Sequence, residues 1–556
     1  MKRKMTVIML VAVLMTILAA CGDAPSQEGV DSATPTPPPA TENPVETEND
    51  PIEDESNSEE ENQQEQQPSV LRVAAGRSFW HGPAANIYLH NNTNVWEPLA
   101  MFDNDMEPFM KLADSFEPSE DGLTWTVTLR EGITFHDRSA FNAEVAAFNL
   151  ERLYRFNPAT GAYDPEFARV GEYGMIEDIS VVSEYVFTVT HSSPMPDFVA
   201  RVSMSNSAMF AMSSFDEDKA FIHPYGTGPF MYVEHDEANQ ILTLAKFTDY
   251  RLGEPNIDTI LFFNIPDAVT RLAALQNDEI DAIADVGGLM PQQAATVISN
   301  PNLQLRERQV STIHYIAMNS NEGSLFSDVR LRNALSFSVD RETIVDVLLL
   351  GYGAPAISVV TDLSSEWVVD GDYQFDPDEA SRLISEATDG NVPEAVFLVN
   401  SAWTGRWPYQ DVAVMLQSQL SQIGINVTIE TVDAPTWNER ARNSEYDITI
   451  HPATITSGEP SFFFIRVVES GGPDNVSRGY GISNPELDAL IARATTEPDI
   501  AVRRNIVEEL QLRVREADYI IPAWYDVTLY AVNNRVNNFE LDVQFWPNLF
   551  VVSIEN

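Results

Sequence analysis

Apolar positions along this chain recur with two periods, one of two residues and one near 3.6, and the two alternate from segment to segment. Thr124-Trp125-Thr126-Val127-Thr128-Leu129 and Tyr185-Val186-Phe187-Thr188-Val189 alternate polar with apolar side chains, which predicts strands with one buried face. Leu71-Arg72-Val73-Ala74-Ala75 reads as the first strand of a body that begins near Val70. Phe230 to His235 and Gln240 to Phe247 flank Asp236-Glu237-Ala238-Asn239 and predict a hairpin. The helical period appears over Phe141–Tyr154, with Asn142 as N-cap, and over Ser327–Ser338 and Asp340–Leu350, the last ending at Gly351.

Further on, strand and helix patterns alternate. Ala395–Asn400 predicts a strand, Tyr409–Ile423 a helix stopped by Gly424, and Asn426–Val432 a second strand, which makes a βαβ unit with parallel strands. A helix over Pro435–Asn443 precedes a strand over Tyr446–Ile450. Helices over Pro485–Ala494 and Asp499–Ala517 lead to a strand at Ile520-Ile521-Pro522-Ala523-Trp524. No repeat of 20 to 50 residues is evident, so solenoids and propellers are excluded and the pattern is mixed α/β with more than one sheet.

Composition narrows the function classes. Of 556 residues, 84 are Asp or Glu and 33 are Lys or Arg, a formal charge of -51 that repels a phosphate backbone and excludes nucleic acid as a partner. The single cysteine, Cys21, excludes an internal disulfide framework and any Cys-rich metal centre. Lys2, Arg3 and Lys4 precede an apolar run from Met5 to Leu18, the layout of a signal peptide, and the run is short for a membrane span. Leu18-Ala19-Ala20-Cys21 resembles a bacterial lipobox, which implies diacylglycerol on the Cys21 sulfur and cleavage after residue 20. From Gly22 to Ser69 the chain is Ser, Thr, Pro, Gln, Asn and acid, with no Lys, Arg or aromatic residue, and reads as a disordered stalk over residues 21–69.

Motifs of secreted hydrolases are missing from the sequence: no G-x-S-x-G, no H-E-x-x-H and no P-loop. Gly351-Tyr352-Gly353-Ala354-Pro355-Ala356 nears a dinucleotide fingerprint but follows a helix, so it reads as a loop. The eight histidines contain no i, i+4 pair. The expectation is a protein that is not an enzyme and carries no cofactor.

One stretch is distinctive. Leu112-Ala113-Asp114-Ser115-Phe116-Glu117-Pro118, continuing through Asp121-Gly122 and Trp125 to Phe135-His136-Asp137, resembles the signature of family 5 extracytoplasmic solute-binding proteins, the peptide and nickel binders of ABC importers. Glu97-Pro98-Leu99, Gly226-Thr227-Gly228-Pro229-Phe230, Asn277-Asp278-Glu279-Ile280-Asp281, Val329–Leu335 with Val339-Asp340-Arg341, Gln417–Val427 and Ile521-Pro522 resemble that family in the same order.

The resemblance implies an α/β, two-lobed periplasmic-binding-protein fold (type II, peptide-binding cluster) with an extra subdomain inserted in lobe I. Lobe I would comprise 70–110, 224–309 and 526–556, the subdomain 111–223, and lobe II 310–525. It also implies a monomer that captures a small-molecule or peptide cargo and delivers it to ABC permease and ATPase subunits, anchored to the cell membrane through Cys21.

For short peptides, the matching loop His451-Pro452-Ala453-Thr454-Ile455-Thr456-Ser457-Gly458-Glu459-Pro460 offers Glu459 where the family has the Asp of Asp-Pro, as a partner for an ammonium, with His451 at its start. For a nickel chelate, His81 and His90 flank Tyr88 in the first loop, which matches the family's ligand-facing loop, and imidazole suits Ni(II). Gly287-Gly288-Leu289-Met290-Pro291 resembles nickel binders, and the segment between Phe198 and Phe215, where they place an arginine, offers only Arg201, displaced from the expected position. Trp403 and Trp407 follow the strand Ala395–Asn400, at the end where α/β proteins gather ligands, and Trp437 opens the next helix; Trp403 and Trp437 read either as walls of a cargo pocket or as ordinary core packing, and Trp407 as packing the helix start. Short peptides are favoured over nickel. A lipid-anchored peptide receptor uncoupled from transport is the alternative of a different class.

Overall fold

Two long strands organise the molecule. The computed structural model describes residues 68–80, 91–157, 160–203, 207–364, 366–369, 371, 373–455 and 458–555. Among them eleven strands form one mixed sheet. In chain order they are β1 (Val70–Ala75), β2 (Phe230–Asp236), β3 (Ile241–Lys246), β4 (Thr259–Asn264), β5 (Ala282–Ile283), β6 (Leu303–Met318), β7 (Gly353–Pro355), β8 (Glu394–Asn400), β9 (Asn426–Val432), β10 (Ile448–Thr454) and β11 (Ile520–Asn533). Across the sheet the order is β2-β3-β4-β1-β5-β11-β6-β10-β8-β9, with β7 beside β11.

β1 runs parallel to β4 and β5, and β8 runs parallel to β9 and β10, so each end of the sheet has its own parallel core. Between them β6 and β11 pair antiparallel from Leu303 opposite Asn533 to Ala317 opposite Ile520. The pairing shifts register between Gln309 and Ile313, where the Ser311 N–H donates to the Val543 carbonyl and the Ile455 N–H to the Ser311 carbonyl. The expected βαβ unit is β8, a helix and β9, with Glu394 to Asn400 paired in step with Asn426 to Val432.

The helices used below are α1 (Ala143–Tyr154), α2 (Tyr409–Ile423), α3 (Ala434–Arg442), α4 (Pro473–Arg478), α5 (Pro485–Thr496) and α6 (Ile500–Ala517). Their ends follow local chemistry. Asn142 accepts the Val145 N–H at 3.1 Å to start α1, and Gly424 ends α2 in the left-handed region that a glycine adopts without strain. At the β8 end, Leu416 and Leu420 of α2 pack on Phe397, Val399 and Ile450 on one face of the sheet. Trp437 and Ala441 of α3, Leu487 of α5 and Val507 and Leu510 of α6 pack with Tyr315 and Leu398 on the other.

A separate antiparallel sheet holds, in spatial order, Ala113–Pro118, Thr124–Leu129, Val186–His191 and Ile176–Ser183. Trp125, Val127 and Leu129 are buried and their neighbours half-buried, the alternation read from sequence, and α1 packs on this core. The unit rests on the β1 end through Phe148, Phe215 and Phe221. Gly226 and Gly228 are where the chains come closest: a Cβ there would lie 2.0 Å from the Val95 carbonyl oxygen and 2.1 Å from that of Asn94, so only glycine fits.

Three expectations are corrected. The Gly351–Ala356 run is not wholly a loop, because Gly353–Pro355 pairs with Trp524–Asp526 and so satisfies backbone groups at the buried middle of β11. The helix over Asp340–Leu350 is one α-turn, Arg341–Thr343, that widens into a π-turn over Ile344–Leu348. The strand over Tyr446–Ile450 is shifted forward to Ile448–Thr454, held by its pairing with β6 and by a 2.8 Å bond between the Thr312 and Thr454 hydroxyls. The segments 1–20 and 21–67 lie outside the described residues. Among the described residues no helix is long and apolar enough to cross a membrane.

The loops after β1 and β5 and the approach to α2 are tied together by Asp285. Its carboxylate has no exposed surface, accepts from Arg77 Nε and Nη2 at 2.8 and 2.9 Å, and lies 3.6 Å from Arg406. Burial opposes its charge, but the two guanidiniums hold the carboxyl below its ordinary range. Asp285→Ala leaves buried guanidinium charge uncompensated and is expected to cost about 3–5 kcal/mol, with Asp285→Asn in between, read as the shift in the urea unfolding midpoint.

Candidate functional site

The C-terminal ends of the parallel strands β8 and β9 turn directly into helical turns, and this places two indoles over β10. Asn400 ends β8 and accepts the Ala402 N–H at 3.0 Å, starting the turn Ser401–Thr404 that carries Trp403. Asp433 follows β9 and accepts the Thr436 N–H at 2.8 Å, starting α3 and placing Trp437. Both rings meet the His451 imidazole on β10, with centroids 4.6 and 4.7 Å away, and stand 5.8 Å from each other.

Tyr315 of β6 and Tyr480 complete the enclosure at 6.1 and 6.3 Å. His451 is 1% exposed, and neither ring nitrogen has a hydrogen-bond partner among the described residues. Burial, reinforced by the Arg478 charge, pushes the imidazole well below its ordinary pKa, so it stays neutral. Three residues picked from sequence, Trp403, Trp437 and His451, thus come together. Tyr315, Tyr480 and Arg478 are equal members of the cluster that sequence reading does not find. Trp407 packs the start of α2, stacked on Tyr409 and donating to Asp526 at 3.2 Å.

Glu459 sits elsewhere, at a seam between the β8 end and the antiparallel unit. It accepts from the Ser461 hydroxyl at 2.7 Å and pairs with Arg503 at 3.2 Å, so its carboxylate already has a cation. Burial, then the nearby Asp197 charge, raises its pKa against the opposing pull of Arg503. Arg201 is 1% exposed, pairs with Asp197 at 2.6 Å, donates to the Gly171 carbonyl and lies 5.1 Å from the Phe462 ring. Arg466 reaches across to Glu172 at 3.4 Å. Gly458 is pressed against Phe102 and Met106, where a Cβ would lie 2.3 Å from the Met106 carbonyl oxygen. His81, Tyr88, His90 and Cys21 lie outside the described residues. Among the described residues no three His, Cys, Asp or Glu side chains converge as a metal site.

Two cavities flank this seam. One of about 190 Å³ lies beside the His451 strand, lined by Pro452–Ile455, Phe462, Phe463, Arg466, Val467, Asp474 and Arg478. The other, about 610 Å³, lies on the β1 side among Trp96, Phe102, Tyr250, Arg308, Asp542 and Trp546. Glu97 underpins it, accepting from Tyr250 at 2.9 Å and pairing with Lys111 at 3.2 Å and Arg251 at 3.1 Å. Burial pushes Asp542 in the same wall up to about 7. Ligand sites occur preferentially in clefts where two parts of a protein meet, and both cavities, with walls of mixed polar and apolar character, lie at such a boundary.

Residues 107–475 match the model of the bacterial extracellular solute-binding proteins, family 5 Middle. The chain belongs to this family. Heme-binding protein A of Haemophilus influenzae is 26% identical over 497 residues, covering 84% of this chain and 88% of that protein. A glutathione-binding protein of Escherichia coli O1:K1 / APEC is 30% identical over 464 residues, 80% of this chain and 86% of that one. The dipeptide binding protein from Pseudoalteromonas sp. SM9913, in complex with Met-Leu, superposes with a TM-score of 0.76 at 21% identity, over 87% of this chain and 100% of that one. The fold of this family 5 protein is accordingly that of the two-lobed periplasmic binding proteins, and its relatives are binding proteins rather than enzymes.

Because the folded state holds a proton on Glu459 more tightly than the unfolded chain does, its contribution to stability is complete below the ordinary carboxylate range and is lost as pH rises through the raised value. Tm is expected to fall between pH 5 and pH 8, and to fall less in Glu459→Gln, in a series of thermal melts across that range.

Proposed function

We propose that this chain is the cargo-binding component of an ABC importer that captures short peptides between two closing lobes and hands them to a membrane permease. The observation that carries this reading is the aromatic enclosure of Trp403, Trp437 and His451 at the C-terminal ends of parallel strands, beside a cavity at the seam. Glutathione- and dipeptide-binding relatives support a peptide-sized cargo. Lobe I comprises 70–110, 224–309 and 526–556, lobe II comprises 310–525, and 111–223 is the subdomain inserted in lobe I. Binding works by population shift: a cargo that touches both lobes only when they are closed stabilises the closed form, and the permease reads that form. ATP hydrolysis belongs to the importer's other subunits.

Cys21 is the lipid anchor in this reading, and residues 22–69 are the tether that lets the monomeric body sample the space above the membrane. His81 and His90 are cargo ligands only if a nickel chelate is the cargo, and Glu459, paired with Arg503, acts in holding the seam rather than in meeting an ammonium.

Native mass spectrometry of the full chain, purified in detergent without chelators, is expected to show a set of peptide-sized adducts. A single nickel-bearing adduct that disappears in His81→Ala/His90→Ala would replace peptides with a metal chelate. Trp403→Ala is expected to weaken cargo binding about tenfold, the scale of one aromatic contact, by titration calorimetry with the peptides so identified.

A further inference from the structure

The seam between the β8 end and the antiparallel unit is charge-matched at one point and charge-opposed at another. From one side come two short helical turns, Val170–Tyr173 and Phe198–Val202. From the other comes the turn Ser461–Phe463, which widens into a π-turn over Phe464–Val468. Glu172 on the first side has an arginine from each: Arg169 at 3.1 Å and, from across, Arg466 at 3.4 Å. The Phe462 ring stands 5.1 Å from Arg201 and 5.4 Å from Arg466. Ile465 packs so close to Gly171 that a Cβ there would lie 3.6 Å from its methyl group.

Asp197 and Glu459 break this pattern. The Asp197 side chain is 2% exposed, and its Oδ2 takes Arg201 Nε at 2.6 Å. Its Oδ1 is buried and has no hydrogen-bond partner among the described residues. Glu459 is buried too, and it meets the Ser461 hydroxyl at 2.7 Å and Arg503 at 3.2 Å. Each acid thus has its cation on its own side of the seam, and what crosses between the two acids is repulsion. Burial first and the Asp197 charge second push Glu459 up to about 7, against Arg503, the Ser461 bond and Arg201. His191 also feels the Asp197 charge, but burial lowers its pKa, and its Nε2 meets the Tyr173 carbonyl at 3.1 Å.

A buried acceptor without a donor is costly, and a carboxyl is a donor only while it holds a proton. We propose that Asp197 and Glu459 form a proton-operated latch: closing the seam takes up one proton on Glu459, which donates to Asp197, and losing that proton sets two buried carboxylates against each other and favours the open form. The latch rests on the reading of the chain as two closing lobes, with Asp197 in 111–223 and Glu459 in 310–525.

Opening removes both the burial and the Asp197 charge, so the Glu459 carboxyl returns toward its ordinary range. The closed form therefore binds more protons. Its advantage is complete below the ordinary carboxylate range and is lost as pH rises through the raised value. By reciprocity, a cargo that needs the closed form binds with uptake of a proton and is held more weakly as pH rises.

The test measures lobe closure directly. Val182 in the antiparallel unit and Val476 in α4 are 64% and 60% exposed, and Cys21 is the chain's single cysteine. Val182→Cys and Val476→Cys in a full-length Cys21→Ser chain, kept in detergent, carry spin labels whose separation is read by pulsed electron resonance from pH 5 to pH 8. Two separations are expected, with the ratio of the closed to the open population falling about tenfold over that range. In Glu459→Gln the ratio is expected to stay near its pH 5 value. In Asp197→Asn the fall is expected to move to lower pH, and this variant decides the matter where Glu459→Gln fails to fold.

A ratio that does not change with pH overturns the latch. The same fall in Glu459→Gln also overturns it, because the titrating group is then another, such as His191 or Asp542. Where pH has no effect but added Met-Leu shifts the populations, the latch falls and lobe closure stands. One unchanging separation at every pH, with and without Met-Leu, removes both.

Discussion

The antiparallel pairing of Leu303–Met318 with Ile520–Asn533 is the constraint on which everything else is hung. Both strands belong to two structures at once, because one end of the pair continues the β1 sheet through β5 and the other continues the β8 sheet through β10. Val310 to Met318 and most of β11 are buried, so this pair is core as well as connection. Its register shift at Gln309–Ile313 frees backbone groups of Ser311, and two other segments, at Val543 and Ile455, bond there. The cavity walls beside β10 and around Asp542 are thereby built out from one irregularity in one ladder.

Charge is distributed unevenly between inside and outside. Arg152, Arg201 and Arg271 are at most 1% exposed, and Arg341 and Arg503 are nearly as deep. Carboxylates dominate what is left for solvent. Guanidiniums tolerate such depth because their forks bond carbonyls as well as acids: Arg271 donates to the carbonyls of Gly288 and Ile265, and Arg332 to those of Ala517 and Phe326. Arg478 stands apart from this buried set, because its side chain keeps 22% of its surface exposed and lines a cavity.

Local elements were legible in the sequence where one short-range rule governs them. Tyr409–Ile423 with its Gly424 stop, and Asn426–Val432, appear at the boundaries that periodicity and capping predict. The rule that ligands gather at the C-terminal ends of parallel strands singles out Trp403, and its ring lies 5.8 Å from that of Trp437, which opens the helix after the next strand. What was hidden is what only distant pairing creates. Tyr315 and Tyr480 reach each other across 165 positions, and nothing in their neighbourhoods marks them as partners. Gly353–Pro355 became a strand for the same reason, since its ladder is offered by residues near 525. Glu459 shows a chemical version of that limit: the sequence displays a carboxylate before a proline, whereas its meaning depends on Arg503, Ser461 and Asp197, which no local pattern brings together.

The place of β11 in the sheet also sets an order of assembly. β5 and β6 are made early, yet each has β11 as a neighbour, and β11 ends at Asn533 of 556 residues. During synthesis both therefore present unpaired backbone edges at the centre of the future sheet until nearly the whole chain has emerged. Pairings over some 200 residues are slow to close, and exposed edges in the meantime invite association with other chains. A molecule built this way depends on its last few dozen residues to become a single sheet, and a chain released before them would be left with two raw edges in the middle rather than a shortened end.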